Sequence, residues 1–252
     1  RNELVLLYGE LISEVRPLFF VMENVSGIQG KRGKAILSEL IEKMESVGYC
    51  VHKQLIDAED YGVPQRRKRI ILVGERNDIG SSYKFPKPTG EKHTVRDTIG
   101  HLPPPPENGS PHPDYPLHRR DRLSELNLRR INALREGQGR DYLPEELLAD
   151  CHRIDSSIIG HRNVYGRMAW DEVAPTITAR FDSFTRGKFG HPDQPRSITL
   201  LEGALLQTFP EDFIFIGSKI EIARQIGNAV PPKLGEAIGR SIIEYYIESE
   251  AK

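Results

Sequence analysis

Five consecutive apolar residues, Leu18-Phe19-Phe20-Val21-Met22, stand between Pro17 and the polar pair Glu23-Asn24. Pro17 ends any helix before it, and an apolar run without polar alternation reads as a strand covered on both faces, the usual state in a parallel sheet. Such a strand needs apolar neighbours. Upstream, Leu4, Leu7, Tyr8, Leu11, Ile12 and Val15 recur at three- and four-residue spacing, which predicts a helix over 3–15 with one buried stripe. Downstream, Leu37, Leu40, Ile41 and Met44 share one side of a second helix that stops at Gly48, a residue that tolerates the left-handed conformation of helix ends. Residues 50–57 and 69–74 read as two further strands, and the loop from Asp57 to Pro64 carries a basic cluster to the mouth of the last one. The order strand, helix, strand, strand suggests part of an open α/β sheet, in which ligands collect beyond the carboxyl ends of parallel strands. Glu23 is expected at such an end.

Beyond residue 84 the pattern changes. Proline and glycine gather near 86–116 and 160–192, so loop-rich material separates more regular segments. Only one helical pattern interrupts this region, around Leu123, Leu126, Ile131 and Leu134, and it reads as a separate, smaller domain. Pro103 to Pro106 fit a stiff polyproline connector better than an SH3-type ligand. A last helix, opened by Pro231-Pro232, puts Leu234, Ala237, Ile238, Ser241, Ile242 and Tyr245 on one face. The expected division is therefore 1–84, 85–205 and 206–252, the last segment returning to the first domain.

Composition narrows the function classes. With 38% apolar and 28% charged residues over 252 positions, the chain is ordinary globular material. The net charge of −1 gives no bulk pull toward nucleic acid, but Gln65-Arg66-Arg67-Lys68-Arg69 and the seven arginines between Tyr115 and Arg140 are local basic clusters. Two cysteines, Cys50 and Cys151, rule out a disulfide scaffold and a CxxC metal site, and fit a reducing, intracellular location. His118, His152, His161 and His191 lack ligand spacing and read as surface or packing residues, so no metal is expected. No apolar run has the length of a membrane helix. The first residues, Arg-Asn-Glu, match no signal peptide and include no initiator methionine, which raises the expectation of a chain that begins partway through a larger protein.

Four short strings stand in fixed order: Glu23-Asn24-Val25, Pro64-Gln65-Arg66-Arg67-Lys68-Arg69-Ile70, Leu206-Gln207-Thr208-Phe209-Pro210, and Gln225-Ile226-Gly227-Asn228-Ala229-Val230-Pro231-Pro232. Each alone is weak. Together they closely resemble the C-terminal motifs of the DNA cytosine-5 methyltransferases, and Arg1-Asn2-Glu3-Leu4 looks like the end of the motif that precedes the first string in that family.

The resemblance implies an α/β fold: the C-terminal half of a doubly wound S-adenosylmethionine-dependent methyltransferase sheet, plus a loop-rich target-recognition domain. It implies a cytoplasmic, prokaryotic protein acting on double-stranded DNA. The family adds a cysteine thiolate to C6 of cytosine, and the resulting enamine takes the methyl group of S-adenosyl-L-methionine at C5. By resemblance Glu23 shares a proton with N3 and the exocyclic amine of an extruded base, Arg69 donates to O2, and Arg67 holds a phosphate or the mobile catalytic loop with help from Gln65. Asn24 braces the neighbouring loop. In Pro175-Thr176-Ile177-Thr178-Ala179-Arg180, the Thr176-Ile177 pair resembles the one that approaches the DNA backbone, with Thr178 and Arg180 beside it; a strand with alternating threonines fits the same string. Arg119, Arg120, Arg122, Arg129, Arg130, Arg162, Arg167 and Arg186 divide between phosphates, base edges and plain surface. Gly227-Asn228 is expected as a turn whose backbone, through Ala229 and Val230, lines the cofactor pocket. Glu202 matches the family's acidic residue, while Leu201 and Leu205 replace arginines, so hydrophobic packing is expected there in place of an internal salt-bridge network.

Two centres of that family are missing from these residues. Neither Cys50 nor Cys151 lies in a Pro-Cys-Gln string, and Gly137-Gln138-Gly139 is no substitute for the Gly-rich cofactor loop. The expectation is an enzyme portion that does not methylate alone, its missing N-terminal part covering the strand at 18–22. A non-catalytic DNA-binding or specificity subunit is the competing reading.

Overall fold

The computed structural model describes residues 2–80, 82–150 and 164–251, so Cys151, His152, His161 and Arg162 lie outside the described residues. Two compact units divide the chain: Arg1–Tyr61, Lys68–Gly90 and Lys233–Lys252 form one, and Gly62–Arg67 with Glu91–Pro232 form the other. Residues 206–232, expected with the first unit, fall in the second, as does the short 62–67 segment.

In the first unit, helix α1 (Asn2–Val15) leads into strand β1 (Phe19–Val25), helix α2 (Lys31–Ser46), and strands β2 (Tyr49–Asp57) and β3 (Lys68–Arg76). Gly48 follows α2 with φ +92°, the left-handed helix end expected of it. The sheet order is β1-β3-β2 and both pairings are antiparallel. The expected parallel sheet is thus corrected. An apolar run shows that a strand is buried, but strand direction depends on how the chain returns. Here the segment between β2 and β3 reverses it, and β1 is an edge strand.

One face of the sheet packs Phe20, Met22, Ile70 and Leu72 against Val5 and Ile12 of α1 and Leu37, Leu40 and Met44 of α2, and on the other face Ile71, Val73 and Glu75 of β3 are also buried. The buried stripe of α1 is Val5, Gly9 and Ile12 with Tyr8 packed beside it; Ile12 and Tyr8 lie there as expected, whereas Leu4, Leu7, Leu11 and Val15 are exposed, contrary to the expected assignment. Both stripes are apolar, so periodicity alone does not choose between them. Val21 and Val25 of β1 are also exposed, so the second face of this edge strand is covered only in part, at Phe19, which packs edge-on against Tyr245 and Tyr246.

Residues of helix α7 (Pro232–Glu250) and the 82–85 segment complete the unit. Glu75, fully buried on β3, accepts from the Tyr83 N–H at 3.1 Å and from the Tyr245 hydroxyl, and lies 3.0 Å from His52 Nε2. Cys50 is half-buried, and burial pushes its thiol up, which suits a packing residue and not a nucleophile.

The second unit holds helices α3 (Val95–Ile99), α4 (Glu125–Asn132), α5 (Leu200–Leu206) and α6 (Lys219–Asn228) among long loops. Its main core gathers Val95, Trp170, Ile177, Phe181, Leu206 and Ile226. With so little regular structure, buried polar side chains organise the loops. Glu202 both caps α5, accepting the Thr199 N–H at 2.7 Å, and receives two 2.7 Å hydrogen bonds from Arg196. An internal ion pair thus exists after all, its arginine coming from a preceding loop and not from positions 201 or 205. Leu201 is buried, as expected. Burial alone would push the Glu202 carboxyl up, but the Arg196 charge and hydrogen bonds, with His191 and Thr199, hold it at about 2.

His118 and His191 are buried packing residues. The former lies between Thr199 Oγ1 (2.9 Å) and the Pro103 carbonyl (2.7 Å). In the latter, Nδ1 accepts the N–H groups of Asp193 and Gln194 at 3.2 and 3.1 Å.

Candidate functional site

Antiparallel register brings Glu23 and Arg69 together. Glu23 pairs with Ile71 and Val25 with Arg69, so the two side chains are diagonal neighbours on one face of the β1–β3 ribbon. Arg69 Nε lies 2.6 Å from Glu23 Oε1, with the side chains 12% and 21% exposed. This face is reachable, and the pair fixes both groups. Glu23 sits inside β1, not beyond its end as expected, because the strand runs on to Val25. Asn24 accepts the Val25 N–H at 2.8 Å, a local brace.

Gln65 and Arg67, expected among the ligand-binding residues, have a different place. Both are buried, in the second unit. Arg67 Nη1 donates to the Ile177 carbonyl at 2.9 Å, and Nη2 donates to those of Gly227 and Ala229 at 3.0 and 2.9 Å. Gln65 Nε2 donates to the Leu206 carbonyl at 2.9 Å and to Gln207 Oε1, while its Oε1 accepts the Ile177 N–H at 3.0 Å. Gln207 Nε2 then donates to the carbonyls of Ile226 and Ala229 at 2.8 and 3.0 Å.

This network explains why the strings occur as a set. The last carbonyls of a helix lack partners along the chain and form its negative end, where a cation is favourable. At the end of α6 those carbonyls are satisfied by Arg67 and Gln207, which tie 64–67, 174–177, 206–207 and 226–229 into one knot. Gly227 belongs to it for a steric reason: a Cβ there would lie 2.2 Å from the Thr178 backbone. Gly227 and Asn228 are accordingly the last residues of α6, not a turn, with Ala229 as the extended cap.

Within Pro175–Arg180, Ile177 is buried, Thr176 donates to the Arg66 carbonyl at 2.5 Å, and Thr178 is exposed. Arg180 Nε bonds Asp182 at 3.1 Å. Residue 174 makes a single parallel bridge to Gln65, so no strand forms here. Asn228 and Val230 are exposed, whereas the Ala229 carbonyl already accepts from Arg67 and Gln207. Among the described residues no group of His, Cys, Asp and Glu has the arrangement of a metal site. Sequence reasoning did not assign roles to Gln207 and Arg196; the only local signal was the Thr199-x-x-Glu202 capping pattern, which marks the helix start but not the partner of its acid.

The family model for C-5 cytosine-specific DNA methylases matches residues 1–244. The chain belongs to this family. Among curated relatives, the Type II methylase M.HgiDII of Herpetosiphon aurantiacus is 39% identical over 95% of this chain and 68% of its own length. The Type II methyltransferase M1.HphI of Haemophilus parahaemolyticus is 33% identical, with 97% and 61% covered. This cytosine-5 methylase chain thus spans 61–68% of the length of these two relatives. A crystal structure described as a prophage-encoded DNA modification methyltransferase (E. coli) covers 97% of the chain and 74% of its own, with TM-score 0.70 and 23% identity. Spodoptera frugiperda DNMT2 gives TM-score 0.55 at 14% identity, covering 91% of this chain and 66% of its own. Both show that the methyltransferase fold is shared.

Proposed function

We propose that the chain is the C-terminal part of a DNA cytosine-5 methyltransferase in which Glu23 and Arg69 grip a cytosine extruded from duplex DNA. The Glu23–Arg69 contact on an accessible ribbon carries this reading. A carboxyl group and a guanidinium held side by side present complementary groups to adjacent positions on one pyrimidine edge: Glu23 toward N3 and the amine, Arg69 toward O2. Extrusion costs a few kcal/mol, which such pocket contacts offset. Arg67 and Gln65 are positioning residues, because their polar groups hold the 177 and 226–229 backbones. Thr176, Thr178 and Arg180 border the DNA backbone.

S-adenosyl-L-methionine supplies the methyl group when bound. The exposed Asn228 amide and Val230 side chain fit one wall of its pocket, whereas the Ala229 carbonyl is committed to Arg67 and Gln207. The thiolate nucleophile and Gly-rich cofactor loop come from a segment outside these 252 residues. Leu4, Leu7, Leu11 and Val15 of α1 and Val21 of β1 are exposed apolar residues that the same segment would cover. A cytoplasmic setting and a role in protecting or marking prokaryotic DNA accord with the Type II relatives.

Adding a polypeptide that carries the Pro-Cys-Gln and Gly-rich motifs is expected to restore methyl transfer to duplex DNA. Glu23→Gln, which removes the proton but keeps the shape, should then lower kcat by roughly 10²–10⁴. Full turnover by Glu23→Gln would exclude the role given to Glu23. Undiminished DNA binding with no restored transfer would point to a specificity subunit instead.

A further inference from the structure

A carboxylate taken out of water is stable only when its charge is answered. Asp182, in the second unit, is such a group: its side chain is 4% exposed, and two cations reach it. Arg180 Nε donates to Oδ1 at 3.1 Å, and Lys219 Nζ lies 3.1 Å from Oδ2. Lys219 also pairs with Asp121, so Arg180, Asp182, Lys219 and Asp121 form one chain of alternating charge. The helix itself does not favour Lys219. This residue opens α6 directly after the Ser218 cap, at the positive end of the helix, where a cation is unfavourable. The two carboxylates offset that penalty.

Arg180 also differs from the other arginines of the unit. Arg130, Arg167 and Arg196 are buried, with their donors directed at carbonyls and side chains around them. Arg119 and Arg122 are exposed and make no hydrogen bond or ion pair among the described residues, so nothing fixes their direction. Arg180 is 46% exposed and held through Nε, while its terminal amino groups donate no hydrogen bond among the described residues. A guanidinium anchored at one donor and open at the others is preorganised for a phosphate. Lys219 keeps it open. Without that second cation, Asp182 would draw the guanidinium into a bidentate pair and occupy the donors a ligand needs.

We propose that Asp182 and Lys219 are positioning residues that hold Arg180 ready for a phosphate of duplex DNA, Asp182 by anchoring Nε and Lys219 by sharing the neutralisation of Asp182. This rests on the reading of the chain as a duplex-binding methyltransferase portion, in which Thr176, Thr178 and Arg180 border the DNA backbone. The test measures the affinity of the 252-residue chain for a mixed-sequence duplex pool over a range of salt. Asp182→Asn removes a negative charge, so bulk electrostatics alone gives tighter binding. Loss of the anchor instead gives binding roughly 3- to 10-fold weaker, with the salt slope lowered by about one. Lys219→Met should weaken binding by a similar factor, and Lys219→Arg, which keeps a cation between the two acids, should recover it. In an Arg180→Ala background neither Asp182→Asn nor Lys219→Met should lower the slope further.

Tighter or unchanged binding by Asp182→Asn overturns the inference. So does a further drop in slope on Lys219→Met in the Arg180→Ala background, the mark of a lysine that itself contacts DNA. Chemical denaturation shows which variants are folded; should Asp182→Asn not be, the Lys219 and Arg180 variants decide, because both side chains are nearly half exposed. A wild-type chain without affinity for duplex DNA removes the proposed function and the inference with it, whereas a binding wild type with an indifferent Asp182→Asn removes the inference alone.

Discussion

Arg67 and Arg69 stand two residues apart in one basic string, yet they have opposite situations. Arg69 lies on β3 beside Glu23, on a ribbon face that a ligand can approach. Arg67 is 1% exposed, with donors directed at three backbone carbonyls. One guanidinium is paired with a carboxylate on a partly exposed ribbon; the other replaces water at a helix end. A motif can therefore hold a binding group and a framework group side by side, and burial tells them apart. Arg196, buried against Glu202, extends the framework class.

The comparison is sharpest where a buried charge loses its partner. Arg196→Ala leaves Glu202 uncompensated and is expected to destabilise the second unit by about 3–5 kcal/mol in chemical denaturation, whereas Arg196→Met with Glu202→Leu recovers most of the loss. Next comes the contrast within the string itself. Arg67→Ala strips partners from buried carbonyls and should cost roughly 3 kcal/mol, with no rescue by Arg67→Lys because a single ammonium cannot span three acceptors. Arg69→Ala should cost less than about 1 kcal/mol, since its pair is partly exposed. It should nonetheless abolish cytosine-dependent activity in the completed enzyme. Equal stability losses for Arg67→Ala and Arg69→Ala would erase the distinction drawn here.

A smaller effect follows from acid. Burial pushes His191 down to about 4, against the pull of Glu202, while Arg196 and Arg167 reinforce the depression and Asp193 opposes it. The unfolded imidazole titrates near 6.5, so the unfolded chain binds the extra proton between the two values. Stability should be full above about pH 6.5 and fall toward pH 4, by at most about 1.4 kcal/mol per pH unit from this group. His118, lowered by its own burial, adds to the same window. Glu202 acts lower: its contribution is lost as pH falls from about 4.5 toward 2. Denaturation midpoints at pH 7.5, 6 and 5 should decline more steeply in wild type than in His191→Gln. Parallel declines would remove His191 from the account.

Much of the fold was legible one element at a time. Three-and-four spacing located α1 and α2, Gly48 marked a helix end, and apolar runs located β1 and β3. The candidate pair was legible through resemblance, because Glu23 and Arg69 each sit in a recognisable string. Less was legible about what surrounds them. Nothing local in Leu4 to Val15 says which of two apolar stripes is buried, and nothing near Glu202 points to Arg196.

By itself, the amino-acid order determined where helices and strands begin, which residues are apolar enough to be covered, and which short strings mark the family. Only the tertiary structure decided that β3 runs antiparallel to its neighbours, that Arg67 closes a buried knot while Arg69 faces Glu23, and that Arg196 neutralises Glu202. The reason is one of range. Helix and strand patterns arise from forces between residues a few positions apart, whereas strand direction, burial and charge pairing depend on segments such as 67 and 227 that meet only when the whole unit has closed around them.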